Sequence, residues 1–380
     1  MSQPLNRRHV LKSLAAATAT LGATRSLLAA ESKEDILIGQ STHLSGPLAS
    51  TMTSVVSGQE LAIDEINRKG GINGRKLKII TLDDAYDPKR CVENVTTLID
   101  KHKVVALTGL ASTGNVVAVL PLLAEKQVPL IGVYTGAPAL RAKQHPYFFT
   151  FTASYRDEVV KMVRNLATVG RTQLALAYHD SPFGKLMLPV VEEVVKEQGS
   201  TLVAKQALDI PGQNAVQVCQ ALAAAKPQGV IFMAFGPALV PFVKAARAQI
   251  GVPVYAPSVA NSKQLLEALG DEARGLAITQ TVPYPYQRTS ALTRDYGAAM
   301  DRAKLTVDFD HFFGYLDIRS VIECLKRSAK DLSAQGIVRA IEGMGKVDMG
   351  GFTVNFSSAN HHGSSFVDLM IVGPNGRYIR

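Results

Sequence analysis

Two short apolar runs, Val104 to Leu107 and Pro129 to Val133, constrain this chain more than any other feature. Neither run alternates with polar positions, which is the pattern of a strand buried on both faces. Each leads into small polar residues, Ser112-Thr113-Gly114-Asn115 after the first and Thr135-Gly136-Ala137 after the second. Helical sequence follows each loop. Strand, loop and helix in that order put the loops at the carboxyl edge of a parallel sheet, where open α/β sheets bind ligands. Hydroxyls and free N–H groups at a helix start attract a carboxylate. The stretch therefore predicts an anion-receptive ledge of Ser112, Thr113, Thr135 and Gly136. The same residue types also serve as ordinary turns and caps, so the ledge needs support from the rest of the chain.

That support begins with regular alternation. Strand patterns such as ILIGQST, KLKIITLDD, QLALAYHD and GVIFMAF are separated by helical patterns of ten to fifteen residues or more. One helical pattern puts Val55, Ala62, Ile63 and Ile66 on a single face, and another starts at Pro88. Such alternation implies parallel, doubly wound sheets. The length, 380 residues, exceeds one typical core, so two α/β lobes are expected. YFFTFTAS reads as one crossing between them, and Pro283 and Pro285 mark a second. No low-complexity linker intervenes. Several short crossing segments make a hinge.

The first thirty residues carry Arg7, Arg8 and Lys12 and then an Ala/Thr/Leu-rich run to Ala30. This is the layout of a bacterial export signal, with a twin-arginine-like pair and cleavage near Ala30. Asn6 and Val10 depart from the twin-arginine pattern, so an ordinary Sec signal is the alternative. Gly22 and Arg25 interrupt the apolar region, which is too short to remain as a membrane span. Net charge is +9; without the four basic residues of this segment it falls to about +5. No Lys/Arg-rich run with interleaved aromatics exists, so nucleic-acid binding has no support.

Catalytic patterns are missing. GLASTGN has Asn115 and Val116 where a phosphate loop needs Lys and Ser/Thr. There is no G-x-G-x-x-G after a strand, no G-x-S-x-G and no H-E-x-x-H. Asp83-Asp84 read as caps for the helix at Pro88. His361-His362 read as a surface loop, and Cys91, Cys219 and Cys324 as unpaired residues on helices. The expectation is a protein that is not an enzyme, with no cofactor and no metal.

The run LSGPLA, GxxLAIDEIN, GGINGRKLKIITLDDAYDP, GLASTGN, VPLIGVYTGAPALR, YHDSPFG and AARAQIG resembles the periplasmic solute-binding proteins of branched-chain amino acid ABC transporters. The resemblance covers nearly all of residues 35–375. It implies a type I bilobal fold, with one lobe of residues 35–153 plus 283–365 and a second of 154–282 plus 366–380. It implies a periplasmic monomer that traps a small-molecule solute and passes it to ABC permease subunits at the inner membrane. A sensing receptor of the same fold is the alternative, and an exported enzyme a weaker one. Ligand-binding residues implied are Ala111, Ser112 and Thr113 from the first loop and Tyr134, Thr135 and Gly136 from the second. Facing them are Phe183, Phe235 and Ser258. Phe183 and Phe235 stand where the family usually has Tyr, and Ser258 where an acid meets the ligand's ammonium. The family's disulfide positions fall on Tyr86 and Ala111, so that bridge is absent. A carboxylate with an apolar or aromatic body is therefore expected, with branched-chain amino acids as the close alternative and Asp157 as the nearest substitute acid.

Overall fold

The computed structural model describes residues 34–46, 48–328 and 331–379. The expected export signal lies outside them. The first strand, β1 (Ile36–Thr42), is followed by α1 (Ala49–Arg68), β2 (Leu77–Asp83) and α2 (Pro88–Asp100). Asp87, and not Asp83 or Asp84, caps α2: its side chain accepts from the N–H groups of Lys89 and Arg90. Asp83 and Asp84 are held elsewhere. Asp83 accepts from the N–H groups of Leu44 and Ser45, and Asp84 accepts from the Ser41 hydroxyl. Cys91, Val95 and Leu98 recur at helical spacing and form the buried face of α2.

The two apolar runs give strands shorter than the sequence suggests. The first gives only β3 (Ala106–Leu107), with β4 (Leu110–Ala111) beyond Gly109; after α3 (Thr113–Lys126) the second is broken at Gly132 into β5 (Leu130–Ile131) and β6 (Val133–Tyr134). Gly109 and Gly132 hold φ of 64° and 83°, which only glycine adopts freely. With β7 (Phe148–Phe149), the first sheet runs β2-β1-β3-β5-β7, all parallel.

The chain then passes through α4 (Tyr155–Thr168), β8 (Gln173–His179), α5 (Pro182–Glu197), β9 (Thr201–Leu208), α6 (Ala215–Ala224), β10 (Gly229–Met233), α7 (Leu239–Gln249), β11 (Val254–Ala256), α8 (Lys263–Leu269) and β12 (Ala277–Gln280). Helices α9 (Ala291–Ala303), α10 (Phe309–Ser328) and α11 (Ala334–Glu342) follow, then β13 (Gly345–Asp348), β14 (Thr353–Phe356), β15 (Asp368–Val372) and β16 (Tyr378–Ile379). The second sheet runs β16-β15-β12-β11-β10-β8-β9. Its strands β8 to β12 are parallel, but β15 and β16 join antiparallel. An antiparallel edge strand needs no helical crossover, so the chain end closes the sheet with few residues. β14 pairs with β13 instead and belongs to neither large sheet.

His361 and His362 do not form a surface loop. His361 is 1% exposed and its ring lies 4.1 Å from that of Phe149. The Thr150 N–H donates to His361 O and the Gly363 N–H to Thr150 O, so this segment extends the sheet edge beyond β7. Cys91, Cys219 and Cys324 are buried, unpaired and helical. Burial pushes the Cys91 and Cys219 thiols up to about 12.

A buried carboxyl on α10 fixes the break in β5–β6. Asp317 Oδ2 lies 3.0 Å from Gln59 Nε2 and 2.9 Å from Thr108 Oγ1. A Cβ at Gly132 would sit 2.0 Å from Asp317 Oδ1, so α10 approaches only because residue 132 is glycine. The Thr108 hydroxyl donates to Ile131 O at 2.6 Å. Its single proton is shared between Ile131 O and Asp317 Oδ2, which leaves this carboxyl short of donors and favours its protonated form. Burial likewise pushes this carboxyl up to about 7. The native state thus holds a proton that the unfolded chain releases near pH 4, and Asp317 costs stability as pH rises toward 7. Asp317→Asn removes that slope, because flipping the Gln59 amide gives the new amide an acceptor. Between pH 5 and 8.5, denaturant melts should show the variant gaining roughly 1–3 kcal/mol on the wild type. Parallel stability–pH curves would contradict a protonated Asp317.

Candidate functional site

The loops after β6 and β11 face each other across a narrow cleft. Tyr134, Thr135 and Gly136 line one side, and Glu158, Ser258 and Gln280 line the other. Tyr155, Phe309, Asp310 and Phe313 complete much of the wall. Tyr155 heads α4, whose start is set by a capping box. The Asp157 N–H meets Ser154 Oγ, and Asp157 Oδ2 accepts from the Ser154 N–H at 2.8 Å. Asp157 is therefore occupied in capping. Glu158, one residue on, falls on the inward face with Val159 and Met162.

Glu158 is an acid of the cleft lining that the sequence does not single out. Its Oε2 accepts from the Ser258 N–H at 2.7 Å and from the Thr279 hydroxyl at 2.5 Å, and its Oε1 accepts from the Ser258 hydroxyl at 2.9 Å. Burial raises this carboxyl above the usual range, against the opposing pull of Thr279 and Ser258. Ser258 thus sits in the cleft with a carboxylate already attached to it. A second acid, Asp310, is 6% exposed. Burial, then repulsion from Asp308, pushes it well above the carboxylate range. Tyr134 feels both acids: burial first, then Asp310, Tyr155 and Glu158 raise its phenol. Capping spacing, Ser154-x-x-Asp157, was the available signal for Glu158, since it leaves the next residue to face inward. No comparable spacing marks Asp310.

The other expected site residues lie beside the cleft and not in its lining. Thr113 is joined to it by a 2.9 Å hydroxyl contact with Thr135. Phe183 and Phe235 are buried, 5.3 Å apart, and Phe183 packs edge-on against Tyr155 at 5.4 Å. Phe235 also lies 6.3 Å from Tyr86. Burial raises the Tyr86 phenol, and a bond with Ser112 opposes it. Ala111 is fully buried in β4. Tyr155 is the partition, with one edge on the cleft and one on the aromatic group; its N–H donates to Gly136 O at 2.8 Å.

Behind Tyr86 is a buried set. His43 Nδ1 lies 2.6 Å from Asp84 Oδ1, and Ser41 Oγ donates to Asp84 Oδ2 at 2.9 Å. The serine bonds the acid and not the imidazole, so this is no nucleophile–base pair. Among the described residues no group of three His, Cys, Asp or Glu side chains could hold a metal, and no helix is long and apolar enough to cross a membrane.

Two doubly wound sheets with a polar cleft between their carboxyl edges define a bilobal solute-binding architecture. The chain belongs to the periplasmic binding protein family, which it matches over residues 35–377. It is 28% identical over 187 residues to "Leu/Ile/Val-binding protein homolog 7" of Brucella abortus (strain 2308), covering 47% of each chain. The chain thus matches about half the length of such curated relatives. An extracellular ligand-binding receptor from Verminephrobacter eiseniae ef01-2 has the same fold, with TM-score 0.84 and 28% identity over 91% of this chain and 100% of that one. A solute-binding protein of an ABC transporter from R. palustris, in complex with benzoate, superposes with TM-score 0.79 at 18% identity, covering 91% of this chain and 95% of that one. That likeness is one of fold.

Ser112 carries the backbone strain of this region. As the residue before α3 it has φ 70° and ψ 133°, and its side chain makes no capping bond. A non-glycine residue there costs about 1–3 kcal/mol. Ser112→Gly should raise stability by roughly 1 kcal/mol after the added unfolded-state entropy is subtracted. A fall in melting temperature would show that the Tyr86 contact outweighs the strain.

Proposed function

We propose that this chain is the extracytoplasmic solute-binding component of an ABC importer, closing on a small carboxylate-bearing solute between its two sheets. The observation that supports this best is the opposition of the Thr135–Gly136 loop and the Glu158–Ser258 pair across one cleft. Hydroxyl and N–H groups of the loop suit a carboxylate. Glu158 suits an ammonium, which would otherwise be buried at a cost of several kcal/mol. A solute with both ends fits best, and the Leu/Ile/Val name carried by the Brucella relative agrees with an amino acid. An aryl carboxylate is the second reading, supported by the benzoate in the R. palustris protein and by Phe309, Phe313 and Val259 in the lining.

In this reading residues 35–153 with 283–365 form one lobe, residues 154–282 with 366–380 the other, and the crossings between them the hinge. Export with cleavage near Ala30 delivers a monomer to the periplasm, where it docks on permease subunits. It carries its solute and does not transform it.

Calorimetry with leucine, valine and benzoate tests the proposal. Leucine or valine should bind at least tenfold tighter than benzoate. Glu158→Gln should weaken the amino acid and spare benzoate. Thr135→Val should weaken either by roughly 1–3 kcal/mol, since a buried carboxylate loses a donor. Benzoate binding without amino acid binding would move the assignment to the second reading. Binding of neither, or indifference to Thr135→Val, would refute the cleft as the solute site.

A further inference from the structure

Beyond Asp310 lies a second cavity, roomier than the cleft. It shares Asn261, Phe309 and Asp310 with the cleft as a common wall. Three aromatic rings line it: Phe309 lies 5.3 Å from Tyr378 and 5.7 Å from Tyr286, and the two tyrosines are 5.8 Å apart. Tyr286 is 42% exposed and gives the cavity an opening to solvent.

The carboxyl groups around it are not alike. Asp308 is taken by His311, whose N–H and Nδ1 both lie 2.8 Å from it. Glu267 and Asp271 belong to α8 and the turn after it, and Lys263, the lysine in this lining, is 4.0 Å from Glu267. Asp310 differs: it is nine-tenths buried, it faces the cavity, and no donor among the described residues reaches it. Burial and the neighbouring Asp308 act on it with no opposing bond.

A buried carboxyl without a donor, in a cavity lined by three aromatic rings, is the chemistry that receives an organic cation. We propose that this cavity binds a small organic ammonium ion, its alkyl groups on Tyr286, Phe309 and Tyr378 and its charge on Asp310. Among the described residues no group of three His, Cys, Asp or Glu side chains is set to hold a metal ion, so the aromatic lining favours an organic cation over an inorganic one. This does not depend on the solute reading of the cleft, because Thr135 and Glu158 are not in the lining of this cavity.

Choline and its uncharged isostere 3,3-dimethyl-1-butanol test the proposal on the full chain by calorimetry. Choline should bind saturably, and the alcohol at least tenfold more weakly. Asp310→Asn and Tyr286→Leu should each weaken choline roughly tenfold, while Thr135→Val leaves it unchanged. Tyr286→Leu alters a half-exposed ring, so it reports even if Asp310→Asn perturbs folding. No saturable choline binding, equal binding of the alcohol, or indifference to both variants would overturn the assignment. Loss of choline binding in Thr135→Val would place the ion in the cleft and overturn it equally.

Discussion

A buried carboxylate organises this protein's centre. Glu158 sits on the first turn of α4 with its side chain removed from water, and an ionised carboxyl there is costly unless its oxygens are met by donors. Three donors meet it, two from Ser258 and one from Thr279. Those residues lie in the turn after β11 and in β12, so a single side chain fixes α4 against two strand ends of the second sheet. Because α4 also begins under Gly136, through the Tyr155 N–H, the same helix sets the distance between the two walls of the cleft. The site is polar because of how it is held together.

A similar balance recurs in the first sheet. Asp317 draws α1, α10 and the ends of β3 and β5 into one network, and the approach is so close that only glycine fits at 132. Gly132 in turn bends the chain toward Tyr134 and Thr135. Buried carboxyls therefore shape both walls of the cleft, Asp317 from below the first and Glu158 from behind the second. The apolar core fills the space between: Phe183, Phe235 and Tyr155 belong to one continuous cluster that reaches Leu107 and Leu110. Packing alone would place these loops near one another. The hydrogen bonds to buried acids determine which atoms face the cleft.

Much of this architecture is legible in the sequence, because doubly wound sheets announce themselves by period. The strands β1, β8 and β10 are apolar runs, and Ser154, Ser181, Ser290 and Ser333 cap helices where capping residues precede apolar spacing. What the sequence hides is direction. Periodicity does not say that Gly109 and Gly132 break two strands, nor that β15 runs against its neighbours. It cannot tell that the polar segment around His361 is buried by pairing with Thr150. The cleft was half legible: Tyr134, Thr135, Gly136 and Ser258 line it, while Ser112, Phe183 and Phe235 lie alongside. Asp157 and Glu158 are adjacent acids, and only the helix geometry decides that the first caps and the second faces inward.

The central claim is that Glu158 is a desolvated carboxyl poised to meet a ligand's positive end. The direct measurement is a carboxyl-carbon NMR titration of the full chain, with Glu158→Gln to assign the resonance, first without ligand and then saturated with leucine. The account predicts a titration midpoint above that of an exposed glutamate in the free protein and a lower midpoint once the ammonium is bound. An ordinary glutamate midpoint that ignores leucine would contradict it.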